Sequence, residues 1–209
     1  MMRSPLPLAV LILLSVGSAT EAQPPAAPVV IYLHGRIIEE QGPDAVSPEF
    51  GAYGYHAILD SLRAGGFQVV SGLRPRGADM DESAARVILQ IDSLLKAGVT
   101  PARIAVVGFS KGGGIAMLAS ARLRRSDITF VFMASCSEAN AELDLRGRLL
   151  SIYEESDPLG RSCSAVFART PKGSVVAERR IATGLKHGAF YQPRSEWLEP
   201  VRAWILRRQ

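Results

Sequence analysis

The stretch Val106-Val107-Gly108-Phe109-Ser110-Lys111-Gly112-Gly113-Gly114-Ile115 decides the reading of this chain. A β-branched run breaks at a glycine, turns on a serine and resumes as helix formers through Ala116, Met117, Leu118, Ala119 and Leu123. A strand that turns this sharply into a helix leaves no room for bulk beside the turning residue, so glycine is needed two positions before it and two after. Gly108 and Gly112 occupy those places. Ser110 is then held in a strained conformation with its hydroxyl exposed, and the helix N-terminus aims free N–H groups at the same point. The competing reading is a plain strand-to-helix turn with an incidental serine, because so short a pattern recurs by chance. The flanks favour the elbow, since Arg103 to Val107 reads as a buried parallel strand and Ile115 to Leu123 as a helix.

Outward from the elbow, short apolar runs alternate with amphipathic stretches, which predicts βαβ units. Strands are expected at Val29 to Leu33, Phe67 to Ser71, Arg103 to Gly108, Thr129 to Met133, Leu149 to Glu154 and Val175 to Ile181. Helices are expected at Tyr53 to Ala64, Asp81 to Ala97, Lys111 to Arg124, about Ser162 to Ala168, and Glu196 to Arg207. In the Asp81 helix, Ala84, Val87, Ile88, Ile91, Leu94 and Leu95 fall on one face, and Gly98 stops it. The fold class is α/β: a mostly parallel central sheet of about six strands with helices on both faces.

In an open parallel sheet, chemistry gathers at the carboxyl ends of the strands. Four polar groups have that address: the turn His34-Gly35-Arg36, Ser110, Asp157 and His187. A serine hydroxyl needs a base to take its proton, and the base needs a partner that fixes its tautomer. Of the three histidines, His187 lies in a loop after the last strand and suits the base; His56, inside a helix, and His34, beside a turn, read as structural. The acid comes from Glu154-Glu155-Ser156-Asp157-Pro158, where Asp157 is preferred because its short side chain can be locked by the turn, with Glu154 and Glu155 as alternatives. Lys111 beside the serine offers a Ser/Lys scheme, but a neighbour of the turning residue points its side chain away.

The strand-Gly108-x-Ser110-x-Gly112-helix pattern, the order Ser110, Asp157, His187 and the upstream His34-Gly35 together resemble the α/β-hydrolase superfamily, most of all its small dienelactone-hydrolase-like members without a cap domain. The resemblance runs from about Val29 to the end of the chain. It implies an oxyanion hole made by the backbone N–H groups of Lys111 and Arg36. Two departures stand out: a long cation at Lys111, and Arg36 at the third place of a turn that is glycine-rich in relatives.

The 209 residues, 47% hydrophobic, suit one globular domain over 29–209. Arg3 leads into an apolar run from Leu6 to Val16 and then small residues, which reads as a signal peptide over 1–22 and thus export to a periplasmic or extracellular space. The run is too short for a stable membrane span and is followed by a Pro/Ala linker at 23–28. Export permits a disulfide between the only cysteines, Cys136 and Cys163, both expected just after strands on the same sheet edge; free thiols are the alternative. Net charge is +4 from scattered arginines with no basic block, which argues against a nucleic-acid partner, and no metal-ligand cluster or cofactor motif is present. Arg36, Arg74 and Arg76 suggest a cationic rim for a substrate carboxylate, or else ordinary arginines paired with Glu39, Glu40, Asp79 or Asp81. No feature of the chain sets an oligomeric state.

The expectation is an exported, cofactor-free serine hydrolase that cleaves a small or soluble ester through Ser110, His187 and Asp157. A serine peptidase or acyltransferase on the same machinery, and a non-catalytic binding protein that keeps the fold, are the alternatives.

Overall fold

A computed structural model of the chain describes residues 27–207. The expected signal peptide, and the linker up to residue 26, lie outside the described residues. From the start of the described chain the elements run β1 (Val29–Leu33), α1 (Arg36–Gln41), β2 (Val46–Ser47), β3 (Gly51–Ala52), α2 (Tyr55–Ala64) and β4 (Gln68–Val70). They continue with α3 (Met80–Lys96), β5 (Ile104–Phe109), α4 (Lys111–Leu123), β6 (Thr129–Met133), β7 (Arg148–Glu154), α5 (Ser164–Phe167), β8 (Val175–Ile181) and α6 (Ser195–Leu206). Six strands form one sheet in the order β4-β1-β5-β6-β7-β8, every pairing parallel. The small β2–β3 pair is a separate antiparallel hairpin.

Why these segments are strands is visible in their two-sided burial. On β1, Val30 and Tyr32 join the core under α2 and α6, while Ile31 and Leu33 join the core under α3 and α4. On β5, Ala105, Val107 and Phe109 face the first core, and Ile104 and Val106 the second. A strand covered on both faces has no polar side, so it reads as a continuous apolar run rather than an alternation. Each large side chain fully buried this way, Phe109, Phe130 or Ile31 among them, contributes roughly 1.5 to 3 kcal/mol over leaving it exposed.

The helices follow their sequence signals. Asp79 caps α3 by accepting the Glu82 N–H at 2.9 Å, and Gly98 leaves the helix end at φ 84°. Helix α4 is pressed against the sheet through its glycines. A Cβ on Gly112 would collide with the carbonyl oxygens of Leu33 and His34, and one on Gly108 with the Gly112 carbonyl. Both elbow glycines are therefore demanded by contact with backbone, which cannot move aside as a side chain can.

Beyond β6 and β7, the two return loops are tied together by a Cys136–Cys163 disulfide, with Cα atoms 5.2 Å apart, and by an isolated bridge between Cys136 and Arg161. The bond closes a span of 27 residues, and removing it relaxes a constraint on the unfolded chain worth ~3 to 4 kcal/mol. A Cys136→Ser/Cys163→Ser protein is expected to lose that much stability in urea unfolding, monitored by circular dichroism. An unchanged midpoint would mean that the bridge adds nothing.

Candidate active site

Ser110 stands at the end of β5 in a conformation that a side chain rarely adopts, φ 53° and ψ −122°. Its N–H donates to Met133 O on the neighbouring strand at 2.9 Å, and its carbonyl accepts from Gly114 N at 3.0 Å. Strand and helix thus grip the residue from both sides and maintain the strain. The hydroxyl borders a cavity of about 870 Å³, shared with His187, Gly35, Arg36, Lys111, Phe109 and Ser135.

His187 lies in a 3-10 turn, Lys186–Phe190, entered through Lys186 at φ 50°. The sequence suggests a flexible loop here. Instead the imidazole is buried to 6% exposure, against the Phe109 ring at 4.7 Å between centroids and the Phe50 ring at 6.1 Å. Its Nδ1 meets Asp157 Oδ2 at 2.7 Å. With that nitrogen committed to the carboxylate, Nε2 is the one left for the cavity. The Ser110 hydroxyl and His187 line the same cavity without a hydrogen bond between them, a contact that in many unliganded sites closes only on the bound substrate.

Asp157 is fixed in turn. Its other oxygen accepts the Leu159 N–H at 2.9 Å, and its own N–H donates to Glu154 O at 3.1 Å. Glu154, one of the alternatives for the acid, is occupied elsewhere. It accepts the N–H groups of Ser156, Thr183 and Gly184 at 2.7 to 2.9 Å and the Ser156 hydroxyl at 2.5 Å. Burial pushes this carboxyl up, but those donors outweigh it and hold it below the usual carboxylate range. Its job is to pin the start of the His187 segment to the Asp157 turn. Glu155 pairs with Arg180 at the surface.

Arg36 and Lys111 are the first residues of α1 and α4, so neither backbone N–H has an acceptor within its own helix. Both border the cavity beside Ser110. The six-residue helix α1 is absent from the sequence reading, which takes Arg36 to Asp44 as a charged turn at the entrance. The β2–β3 hairpin is likewise new, and it brings Pro48 and Phe50 to the cavity wall.

Side chains behind these two helix starts form a network whose members are far apart in sequence. Glu39, with 1% of its side chain exposed, accepts from Arg74 Nε at 2.7 Å and from Lys111 Nζ at 2.5 Å. Lys111 Nζ also donates to Ala78 O at 2.6 Å. The Lys111 ammonium is therefore turned away from Ser110, and the Ser/Lys scheme has no geometry to support it. Burial raises the Glu39 carboxyl, yet its bonds to Lys111 and Arg74 prevail and keep it below the ordinary range. Of the two readings of the arginines, pairing with Glu39 holds for Arg74, which therefore leaves the rim. Arg74 is drawn inward by Glu39 and His34 and has only 9% of its side chain exposed, whereas Arg36 and Arg76 stay exposed.

His34 is wholly buried, its Nδ1 at 2.9 Å from Gly35 O and its Nε2 accepting the Arg74 N–H at 3.1 Å. It is a brace for the turn that carries Arg36, as the sequence suggests. Burial, reinforced by the Arg74 charge, lowers its pKa from 6.5 to about 4. Between those values the unfolded chain takes up a proton that the folded chain refuses. Stability is fully present above pH ~6.5 and is lost as pH falls toward 4, by about 3 kcal/mol at most. Thermal melts at pH 7, 5.5 and 4.5 should show this decline, and a His34→Asn protein, less stable at pH 7, should show a shallower one. Equal slopes in the two proteins would remove His34 as the cause.

No protein-family model and no curated protein matches the chain. Solved structures do. SOBER1 of Arabidopsis thaliana aligns over 86% of this chain and 98% of its own at 12% identity, TM-score 0.57. A CIB-like hydrolase of Thermoplasma acidophilum aligns over 88% of each chain at 15% identity, TM-score 0.56. A double mutant of the esterase E40 aligns over 87% of this chain and 79% of its own at 19% identity, TM-score 0.58. At such identities the likeness is one of fold: the chain has the α/β-hydrolase fold in a minimal form, a parallel six-stranded sheet flanked by helices.

Proposed function

We propose that this chain is an exported serine hydrolase that cleaves a small or soluble carboxylic ester through an acyl-enzyme. The observation that carries the reading is the convergence, in one cavity, of a strained elbow serine and an imidazole held by a buried carboxylate at 2.7 Å. The hydrolase and esterase names of two of the structural neighbours support it.

In the proposed reaction His187 Nε2 takes the Ser110 proton as Oγ bonds to the ester carbonyl carbon. Negative charge moves to the carbonyl oxygen, where the N–H groups of Lys111 and Arg36 receive it; one such donor is worth ~2.7 to 4 kcal/mol of barrier. The C–O bond to the leaving alkoxide breaks and the imidazolium returns the proton to it. Water then repeats the sequence on the acyl-serine, releasing the acid and restoring Ser110. Asp157 fixes the tautomer and stabilises the imidazolium throughout. The modest aromatic content, 7%, favours a small or soluble acyl group over a long-chain lipid. The bonded cysteine pair is compatible with an oxidising compartment and so with export. Among the described residues no helix is long and apolar enough to cross a membrane.

The test is labelling of the native protein with a fluorophosphonate alongside turnover of a short-chain aryl ester. The expected adduct is on the tryptic peptide that contains Ser110, and turnover should disappear with it. No adduct on native protein would remove the activated nucleophile and favour a binding protein on this fold.

A further inference from the structure

A second cavity of about 630 Å³ adjoins the first, bordered by Arg36, Glu39, Glu40, Gln41, Arg76 and Lys111. Arg36, Glu40, Gln41 and Lys111 border both cavities, so a molecule whose carbonyl lies at Ser110 can extend from one into the other.

The charge there is unbalanced. The lining carries three cations, Arg36, Arg76 and Lys111, against two carboxylates, Glu39 and Glu40, and Arg74, behind the lining, shares Glu39 with Lys111. The lining's surplus is positive, and it is carried outward by the exposed guanidinium groups of Arg36 and Arg76. Arg76 is oriented beforehand, since its Nη2 donates to Glu40 O at 2.7 Å and leaves its remaining N–H groups free to bind. Lys111 Nζ spends two of its three donors on Glu39 and Ala78. A planar fork held in place, with a fixed ammonium nearby, matches a carboxylate better than any neutral group.

We infer that the substrate is an ester bearing a carboxylate on its acyl side, held by Arg76 and Arg36 while the scissile carbonyl lies at Ser110. The inference rests on the serine-hydrolase reading above but selects among its substrates. The anionic end stays in the outer cavity during both halves of the reaction, and no bond to it forms or breaks.

Two esters of equal chain length test this: the mono-para-nitrophenyl ester of adipic acid and para-nitrophenyl hexanoate. The wild-type protein should prefer the adipate in kcat/KM, and Arg76→Gln should cut that preference about tenfold or more, the fold-change of one charge-assisted bond. Arg202→Gln, which removes the same charge from the exposed face of α6, should leave the preference in place. A wild-type preference for hexanoate, or an equal loss in both variants, overturns the inference. Calorimetric binding of the adipate ester to Ser110→Ala protein separates the two readings. Weaker binding in the added Arg76→Gln variant supports the subsite even if wild-type protein turns nothing over, and equal binding refutes it.

Discussion

Ser110→Ala protein is expected to hydrolyse a short-chain aryl ester with kcat/KM reduced by roughly 10⁴ to 10⁶, the loss that follows when an activated serine is removed and the rest of the site remains. Alanine keeps the Cβ that the elbow already accommodates at φ 53°, so the fold should survive and the loss should be one of chemistry. Steady-state kinetics on variant and wild-type protein with matching circular dichroism spectra check it. Residual activity above about 1% of wild type is incompatible with loss of the nucleophile.

Asp157→Asn is the next largest expected loss, about 10⁴ in kcat with KM changed little. The amide can keep its bond to the Leu159 N–H through its oxygen, but its NH₂ then faces His187 Nδ1, selects the opposite tautomer and leaves Nε2 carrying a hydrogen. Such an imidazole cannot take the serine proton. A single-turnover measurement of acylation isolates the step. A loss below about tenfold would mean that the carboxylate is a structural contact and the base is oriented by something else.

How far the sequence reaches can be judged from these same residues. The six strands are legible because burial on both faces leaves apolar runs such as Val29–Leu33 and Ile104–Phe109, and their observed ends differ from the expected ones by a few residues at most. The elbow is legible because its glycine spacing is a short local pattern, although the contact that demands Gly112 comes from Leu33 and His34 at the end of β1. Helix α1 is not: Arg36–Gln41 is short, highly charged and lacks a side-chain cap, so nothing local separates it from a polar turn. Glu39 is legible in part: its pairing with Arg74 is among the readings the sequence offers, but the bond to Lys111 and the choice between acids are not. Its partners lie 35 and 72 residues away, and only the folded chain brings two cations to one buried carboxylate. The same absence of local signal leaves Arg74 open between a rim residue and a partner of Glu39, and the folded chain selects the second. Phe50, on a hairpin of two-residue strands, packs over His187 without any periodicity to announce it. The proximity of Asp157 and His187 sits between these cases: chain order suggests it, and the parallel register of β7 with β8 supplies it.

The register of the sheet also imposes an order of assembly. β1 lies between β4 and β5, and Val29 pairs with Ile104, so β1 gains its second neighbour only across a separation of 75 residues. Parallel pairings at this separation pay a long loop closure before any contact repays it, which makes them slow to form. Among the described residues up to 100, β1 and the short edge strand β4 are the members of the central sheet, too little sheet to persist alone. The elbow is therefore among the later parts of the sheet to form, since it needs β5, α4 and β6 together.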